Sequence, residues 1–207
     1  MMKVIGLTGT AGTGKTSVAR FLKTLGAEVI EADAVAKELT ALGEPLLKKI
    51  AAVFGEEFIL PDGTLDRARL RQLIFRDEAA RKKLEAITHP AIIAAIEKWL
   101  EELRRRPTPP KVAVVEAPLL FETGLERLFD EVWLVIAGPE TAIRRLAARD
   151  RIPPEEAQAI IAAQMPQEEK IRRHNRVIDN SAGFQYTRAQ VEYFYKEVLA
   201  AQGEEAR

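Results

Sequence analysis

A glycine-rich stretch near the start of the chain has the composition of a phosphate-binding loop. Residues 9–16 read G-T-A-G-T-G-K-T, which is the G-x-x-x-x-G-K-T spacing of a P-loop. Glycines let successive backbone N–H groups converge on an anion, and a lysine followed by a hydroxyl residue suits phosphates and Mg²⁺. A glycine turn that binds nothing has no need for that pair, so the pattern predicts a nucleoside triphosphate site. The residues expected to contact the nucleotide are Gly9, Ala11, Gly12, Thr13, Gly14, Lys15, Thr16 and Ser17.

Two acidic residues follow apolar segments that are expected to be strands. Asp33 comes after residues 27–30, and Glu116 ends the continuous apolar run of residues 112–115. The carboxyl ends of parallel strands face the crevice where an α/β sheet binds ligands, so Asp33 is placed to meet the phosphate acceptor. An N-cap for the next helix is the alternative role of Asp33. Glu116 matches the Walker B position, which holds Mg²⁺ directly or through water, so Thr16 and Glu116 are the predicted metal residues.

An arginine-rich helical segment is the third candidate for chemistry. Arg145 and Arg149 are separated by one helical turn and therefore share one helix face. We interpret residues 141–174 as a mobile lid that brings these arginines to phosphates. The alternative is a surface helix whose arginines pair with the acids of the same segment, Glu155, Glu156, Glu168 and Glu169.

The elements that must position these residues alternate between strands and helices, which predicts an α/β fold of the three-layer P-loop NTPase type. Its core is expected at residues 1–40, 107–140 and 175–207 of a single domain spanning residues 1–207. Residues 41–106 are almost wholly helical in pattern and exceed a normal crossover, so they are predicted to form an inserted substrate subdomain. His89 is expected at a helix start, because Pro90 suits a first helical position.

The composition excludes several classes of function. Among the 207 residues, Lys plus Arg and Asp plus Glu both number 31, and this balance argues against a nucleic-acid or anionic-membrane partner. The absence of cysteine excludes disulfides, thiol catalysis and cysteine-ligated metals. No apolar run approaches the roughly 18 residues of a membrane span, and the N-terminus leaves no room for a signal peptide before the first strand. A cytoplasmic protein is therefore expected.

P-loop proteins include molecular switches, motors and small-molecule kinases. The chain contains neither the N-K-x-D and D-x-x-G strings of a GTPase nor the L-S-G-G-Q string of an ABC-type ATPase. A lid suits a kinase, because the transferred phosphoryl group must be kept from water. A small-molecule kinase is therefore favoured. The alternatives are a kinase for another acceptor, of the kind that resembles shikimate kinase, and a nucleotide-dependent switch that acts on a partner protein.

A series of short strings, in this order and spacing, resembles one family, the dephospho-coenzyme A kinases. Each string alone is weak, whereas the series extends over nearly the whole chain. The strings are Ile5-Gly-Leu-Thr-Gly9 with the P-loop, Ala32-Asp33, Leu65-Asp-Arg67 with Phe75, Thr88-His-Pro90, Val115-Glu-Ala-Pro-Leu-Leu-Phe-Glu122, Arg145-Leu, Arg149-Asp, Gln164 and Val177-Ile-Asp-Asn180.

This resemblance implies a five-stranded parallel core and transfer of the ATP γ-phosphoryl group to the ribose 3′-hydroxyl of dephospho-CoA, the last step of coenzyme A synthesis. It implies that Asp33 is the general base and that Mg²⁺ accompanies ATP. ATP and dephospho-CoA are the expected partners of a monomer or weak homo-oligomer. The implied catalytic residues are Asp33, Lys15, Arg145 and Arg149, and the implied substrate contacts are Asp33, Arg67, His89 and Leu119.

Overall fold

The structure is a computed structural model that describes residues 1–204 of the chain. The chain folds into two compact units. The first unit contains Met1–Ile30 and the chain from Glu102 onward, and the second contains Glu31–Glu101. Each unit has an apolar core of its own.

The chain contains a five-stranded parallel sheet, and one of its strands leads directly into the P-loop. The sheet confirms the predicted α/β class. In the order β2-β3-β1-β4-β5, strand β1 is central, and its Leu7 lies opposite Glu116 of β3. Because the strands are parallel, the segments that follow β1, β3 and β5 emerge at the same edge. The strands are β1 (Lys3–Thr8), β2 (Glu28–Glu31), β3 (Val112–Glu116), β4 (Glu131–Ile136) and β5 (Arg176–Asp179).

Helices and loops connect the strands. No helix within residues 1–204 combines the length and apolar character that a bilayer crossing requires. Short 3₁₀ turns occur at Glu56–Phe58 and Leu125–Leu128. The α-helices are α1 (Lys15–Thr24), α2 (Ala32–Leu39), α3 (Pro45–Phe54), α4 (Arg67–Arg76), α5 (Glu78–Arg104), α6 (Pro139–Asp150), α7 (Pro154–Ala162), α8 (Gln167–Ile171) and α9 (Phe184–Glu204).

The core of the first unit lies between the sheet and helices α1 and α9. Trp133 of β4 is fully buried there and meets the ring of Phe194 edge-on with the centroids 5.8 Å apart. Val191 and Tyr195 are buried on the same face of α9 and belong to this core. This packing fixes α1, and therefore the P-loop that precedes it, against the sheet.

The amino edge of the sheet, opposite the P-loop, is held by a charged network. Arg176 at the start of β5 donates to Glu131 of β4 through Nε at 2.8 Å and also pairs with Glu197 of α9. Burial raises the pKa of the Glu131 carboxyl, but hydrogen bonds from Arg176 and Trp133 outweigh burial and hold this pKa below its ordinary value. The network therefore stabilises the edge of the sheet that is remote from the phosphate-binding loop.

The second unit packs its helices around a smaller core. The buried side chains of this core come from α3, the 3₁₀ turn, the following segment and α4. Asp66 is the N-cap of α4, because its Oδ1 accepts from the Arg69 backbone N–H at 2.9 Å. The chain turns at residues 61–63, between the 3₁₀ turn and α4. The core residues are Leu46, Leu47, Ile50, Phe58, Leu65 and Leu70.

The predicted helix start at His89 was wrong. Helix α5 continues through His89 and Pro90, so His89 lies inside the helix and not at its start. Proline removes one backbone donor, which leaves the carbonyl of Ala86 without its usual partner. Ala86 and Pro90 are both exposed, so water can hydrate that carbonyl and the helix tolerates the proline.

The N-cap alternative for Asp33 was also wrong. Strand β2 extends to Glu31, which is the residue at the N-cap position of α2, and Asp33 lies in the first turn of the helix with an exposed side chain. A carboxylate in the first turn interacts favourably with the positive end of the helix dipole. Local structure therefore accounts for an acid at this position without requiring it as a cap.

Candidate active site

The P-loop joins β1 to α1 in a conformation that only glycine adopts readily. Gly14 stands at the N-cap position of α1 with φ 91°, in the left-handed region. A Cβ on Gly12 would lie 2.1 Å from the Ala142 carbonyl oxygen of α6, so this glycine permits a close approach between the loop and α6. The backbone therefore forms the concave turn at a helix N-terminus that suits an anion.

Lys15 is the first residue of α1 and is buried, with 7% of its surface exposed. Its Nζ donates to the carbonyl oxygen of Thr10 at 3.0 Å, so the side chain folds back over the P-loop that precedes it. Thr13 is fully buried and its Oγ1 donates to the same carbonyl at 2.9 Å. A positive charge is thus held inside the anion-binding turn.

Thr16 and Glu116, the two predicted metal residues, are brought together at the carboxyl edge of the sheet. The Thr16 hydroxyl donates to Glu116 Oε1 at 3.0 Å, and the Glu116 side chain is buried. Mg²⁺ prefers oxygen ligands and is commonly held by one or two protein groups together with substrate phosphates. Residues 1–204 contain no cluster of three or more His, Cys, Asp or Glu that could hold a metal alone. This pair therefore fits a divalent ion that arrives with the nucleotide.

Replacement of Glu116 by Gln tests this pair. The amide keeps the size and can still accept from the Thr16 hydroxyl, but it lacks the negative charge that attracts a divalent ion. We expect Glu116→Gln to require a roughly 10-fold higher Mg²⁺ concentration for half-maximal ADP formation. Glu155→Gln, at an exposed acid of α7, is the control and should leave the Mg²⁺ titration unchanged. A titration curve identical to wild type for Glu116→Gln would contradict the metal role.

Asn180, just beyond β5, supports the P-loop through a side-chain hydrogen bond to the loop backbone. It is buried, its Nδ2 donates to the Thr13 carbonyl at 2.8 Å, and its Oδ1 accepts from the Thr187 hydroxyl at 2.8 Å. A Cβ on Gly14 would lie 2.2 Å from this Nδ2. Asn180 belongs to one of the short strings that carry the family resemblance, but the sequence does not indicate its role. Its partner Thr13 is 167 residues away in the chain, so no local spacing connects the two.

Asn180→Leu removes both hydrogen bonds while keeping a side chain that is branched at Cγ. The Thr13 carbonyl and the Thr187 hydroxyl lose their partner, so we expect the free energy of unfolding to fall by roughly 2–4 kcal/mol in urea titrations. We also expect weaker ATP binding by calorimetry, because the loop loses its support. The control is Asn175→Leu, since Asn175 Oδ1 accepts from the Val132 N–H at the opposite edge of the sheet. Equal ATP affinities of the two variants would contradict the supporting role.

The predicted lid supplies contacts to the site at two places. Arg145 Nη1 donates to the Asn180 carbonyl at 2.9 Å, which places this guanidinium beside the P-loop support. Gln164, which follows α7, accepts from the Ala11 N–H through Oε1 at 2.9 Å. Arg149 is exposed and binds the carboxylate of its neighbour Asp150 at 2.7 and 3.0 Å. Arg145 therefore lies at the P-loop, and Arg149 lies on the surface of α6.

A model of the dephospho-CoA kinase family matches residues 3–186 of the chain. The chain belongs to the dephospho-CoA kinase family. The dephospho-CoA kinase of Geobacter sulfurreducens is 50% identical over 180 residues, covering 87% of this chain and 90% of that protein. That of Symbiobacterium thermophilum is 44% identical over 204 residues, covering 99% and 84%. The solved dephospho-CoA kinase from Campylobacter jejuni superposes with a TM-score of 0.71 at 26% identity, covering 98% of this chain and 100% of that one.

Family membership confirms the resemblance inferred from the short strings and the enzyme class inferred from the P-loop. Dephospho-CoA kinases are ATP-dependent phosphotransferases, so the alternative of a nucleotide-dependent switch is excluded. An enzyme of this family that uses ATP also implies a divalent metal, in agreement with the oxygen pair at Thr16 and Glu116.

Three predicted substrate residues, Asp33, Arg67 and His89, belong to the second unit. Arg67 Nη2 donates to the Thr40 hydroxyl at 2.6 Å and to the Lys37 carbonyl at 3.3 Å, so it links α4 to the end of α2. Leu119, the fourth, lies in the first unit on the turn after β3 and is 38% exposed. Their substrate roles stay predictions.

Proposed function

We propose that this enzyme transfers the γ-phosphoryl group of Mg²⁺-bound ATP to the ribose 3′-hydroxyl of dephospho-CoA, releasing CoA and ADP. The match of the dephospho-CoA kinase family model to residues 3–186 carries the proposal. The P-loop, its buried lysine and the Thr16–Glu116 pair support it, because phosphoryl transfer needs chiefly phosphate binding, charge neutralisation and a positioned acceptor.

In the proposed reaction, Lys15 and the N–H groups of residues 12–17 bind the β- and γ-phosphates. Thr16 and Glu116 would hold Mg²⁺ together with ATP, and the ion would supply neutralisation of the negative charge on the phosphates. Arg145 and Arg149 supply further positive charge as the γ-phosphoryl group leaves ADP. Asp33 orients the acceptor hydroxyl and takes its proton while the 3′-oxygen bonds to phosphorus.

The experiment is a measurement of ADP release with Mg-ATP and a panel of acceptors. The panel contains dephospho-CoA, shikimate, a nucleoside, a nucleoside monophosphate and no acceptor. We expect ADP release that depends on dephospho-CoA alone, with CoA as the product. Turnover with a different acceptor only, or with none, would refute the proposal.

The remaining expectations concern the context of the enzyme. A cytoplasmic location, a monomeric or weakly oligomeric state, and no nucleic-acid or membrane partner stay predictions from the sequence. Sedimentation of the purified protein at several concentrations measures the oligomeric state directly.

A further inference from the structure

Lys170 of α8 is a fully buried lysine with a side-chain exposure of 0%. Its Nζ donates to the Pro118 carbonyl at 3.1 Å and to Glu122 Oε1 at 3.1 Å. Both acceptors belong to the turn that follows β3. Glu122 Oε1 also accepts from the Met165 N–H at 3.1 Å, so the turn is tied twice to the segment around α8.

A buried ammonium is costly unless oxygen atoms replace its water. An apolar side chain of similar length would fill the same space without that cost, so packing alone does not account for a lysine here. Charge-assisted hydrogen bonds are shorter and about twice as strong as neutral ones, and they constrain the positions of both acceptors. Lys170 therefore holds the Pro118 carbonyl and the Glu122 carboxylate at fixed places.

The turn that Lys170 holds begins directly after the metal-binding carboxylate. Only Ala117 separates Glu116 from Pro118, and the Ala117 N–H donates to the Leu7 carbonyl at 3.0 Å. The Pro118 carbonyl, two residues beyond Glu116, accepts from Lys170 Nζ at 3.1 Å and from the Thr8 hydroxyl at the longer distance of 3.4 Å. A shift of this carbonyl would be transmitted to Glu116 through two peptide units.

We propose that Lys170 is a positioning residue for the site that binds the divalent metal and ATP. It touches neither ligand in this proposal; it fixes the turn from Pro118 to Glu122 and, through that turn, the carboxylate of Glu116 opposite Thr16. The inference rests on the proposed function, because it takes Thr16 and Glu116 to hold the metal that accompanies ATP.

Lys170→Met is the first test, because methionine keeps the length of the side chain and removes the donors. The readout is the ATP affinity measured by calorimetry with Mg²⁺ and with EDTA. We expect the gain in affinity from Mg²⁺ to fall by roughly 10-fold, within the range that outer partners of metal ligands contribute. The affinity in EDTA should stay as in wild type, because the contacts of the P-loop are retained.

Arg176→Met is the matched control. Arg176 is also a largely buried cation, with a side-chain exposure of 21%, and it also binds carboxylates, but at the amino edge of the sheet. Its loss should lower the melting temperature without changing the effect of Mg²⁺ on ATP binding. If Lys170→Met behaves like Arg176→Met, with lower stability and an unchanged Mg²⁺ effect, Lys170 is structural only and the proposal is wrong.

Two further variants keep the test decisive if Lys170→Met does not fold. Glu122→Gln weakens the same contact at a side chain that is 24% exposed, so it should fold and show a smaller loss of the Mg²⁺ effect. Lys170→Arg retains the charge and donors and should restore part of that effect. An unchanged Mg²⁺ effect in Glu122→Gln would overturn the proposal.

The binding measurement needs no acceptor, which separates this inference from the proposed function. A wild-type protein inactive with dephospho-CoA would refute the proposed function, while the calorimetric comparison of Lys170→Met with Arg176→Met would still decide the role of Lys170. An active wild type with no difference between these variants would refute the role of Lys170 alone.

Discussion

Lys15→Ala should abolish turnover, with a loss of about 10³-fold or more in the rate of ADP formation. The ammonium lies inside the P-loop, bound to the Thr10 carbonyl at 3.0 Å, and residues 10–16 offer no second cationic side chain in its place. Negative charge shifts toward the leaving β-phosphate as the phosphoryl group is transferred, and a preorganised cation stabilises that charge without reorganising water. The measurement is kcat with saturating Mg-ATP and dephospho-CoA.

The control for this variant is Lys23→Ala, because Lys23 is an exposed lysine of the same helix, α1. It should retain wild-type turnover. Circular dichroism and the melting temperature show whether Lys15→Ala is folded, since alanine suits a helix. A folded Lys15→Ala protein with turnover close to wild type would refute the assigned role of the P-loop lysine.

Asp33→Asn should lower kcat by roughly 10²–10⁴-fold, the usual contribution of a general base. Asparagine keeps the size of the side chain but cannot accept the proton of the acceptor hydroxyl. Asp33 is exposed in the first turn of α2 and is not its N-cap, so the substitution should leave the fold intact. The favourable interaction with the helix dipole is lost, at a cost of roughly 0.3–1 kcal/mol in the free energy of unfolding.

Glu38→Gln is the matched control for Asp33→Asn. It removes a negative charge from an exposed position of α2, so it changes the charge of the helix without removing the proposed base. ATP affinity should be the same in both variants and in wild type, because Asp33 is proposed to act on the acceptor. Wild-type kcat in Asp33→Asn would show that Asp33 serves only the helix.

The sites that could be predicted are those whose signals are local. The P-loop can be predicted because its glycines, its lysine and its hydroxyl residue lie within eight successive positions that one turn brings together. Glu116 was found because a continuous apolar run predicts a buried strand, and strand β3 ends at this residue. The position of Asp33 after β2 could be predicted because residues 27–30 are expected to form a strand. Whether Asp33 caps α2 depends on where that strand ends, and it ends at Glu31, which occupies the N-cap position.

The prediction for His89 was wrong because the preference of proline for a helix start takes no account of solvent exposure. A proline inside a helix costs a hydrogen bond, and the prediction assumes that the cost ends the helix. In α5 the positions around the lost bond are exposed, and the Thr88 hydroxyl donates to the Leu84 carbonyl at 2.9 Å. Burial is a property of the packed chain, so sequence spacing alone could not supply it.

The supporting residues could not be assigned from the sequence. Asn180 binds a carbonyl of the P-loop across 167 residues, and Lys170 binds the turn after β3 across 52 residues. An asparagine beyond a strand and a lysine in a short helix are ordinary surface residues by composition. Only burial and the identity of their oxygen partners distinguish them from such residues.

The sequence by itself determined the family, the parallel α/β sheet, the P-loop and the candidate acids, because these depend on residue order, apolar periodicity and spacing within single elements. The tertiary structure alone decided that Glu116 meets Thr16, that Asn180 supports Thr13 and that Lys170 is buried beneath the turn after Glu116. Those contacts join segments far apart in the chain. Their energies arise from desolvation and hydrogen-bond geometry, which exist only once the strands and helices are packed.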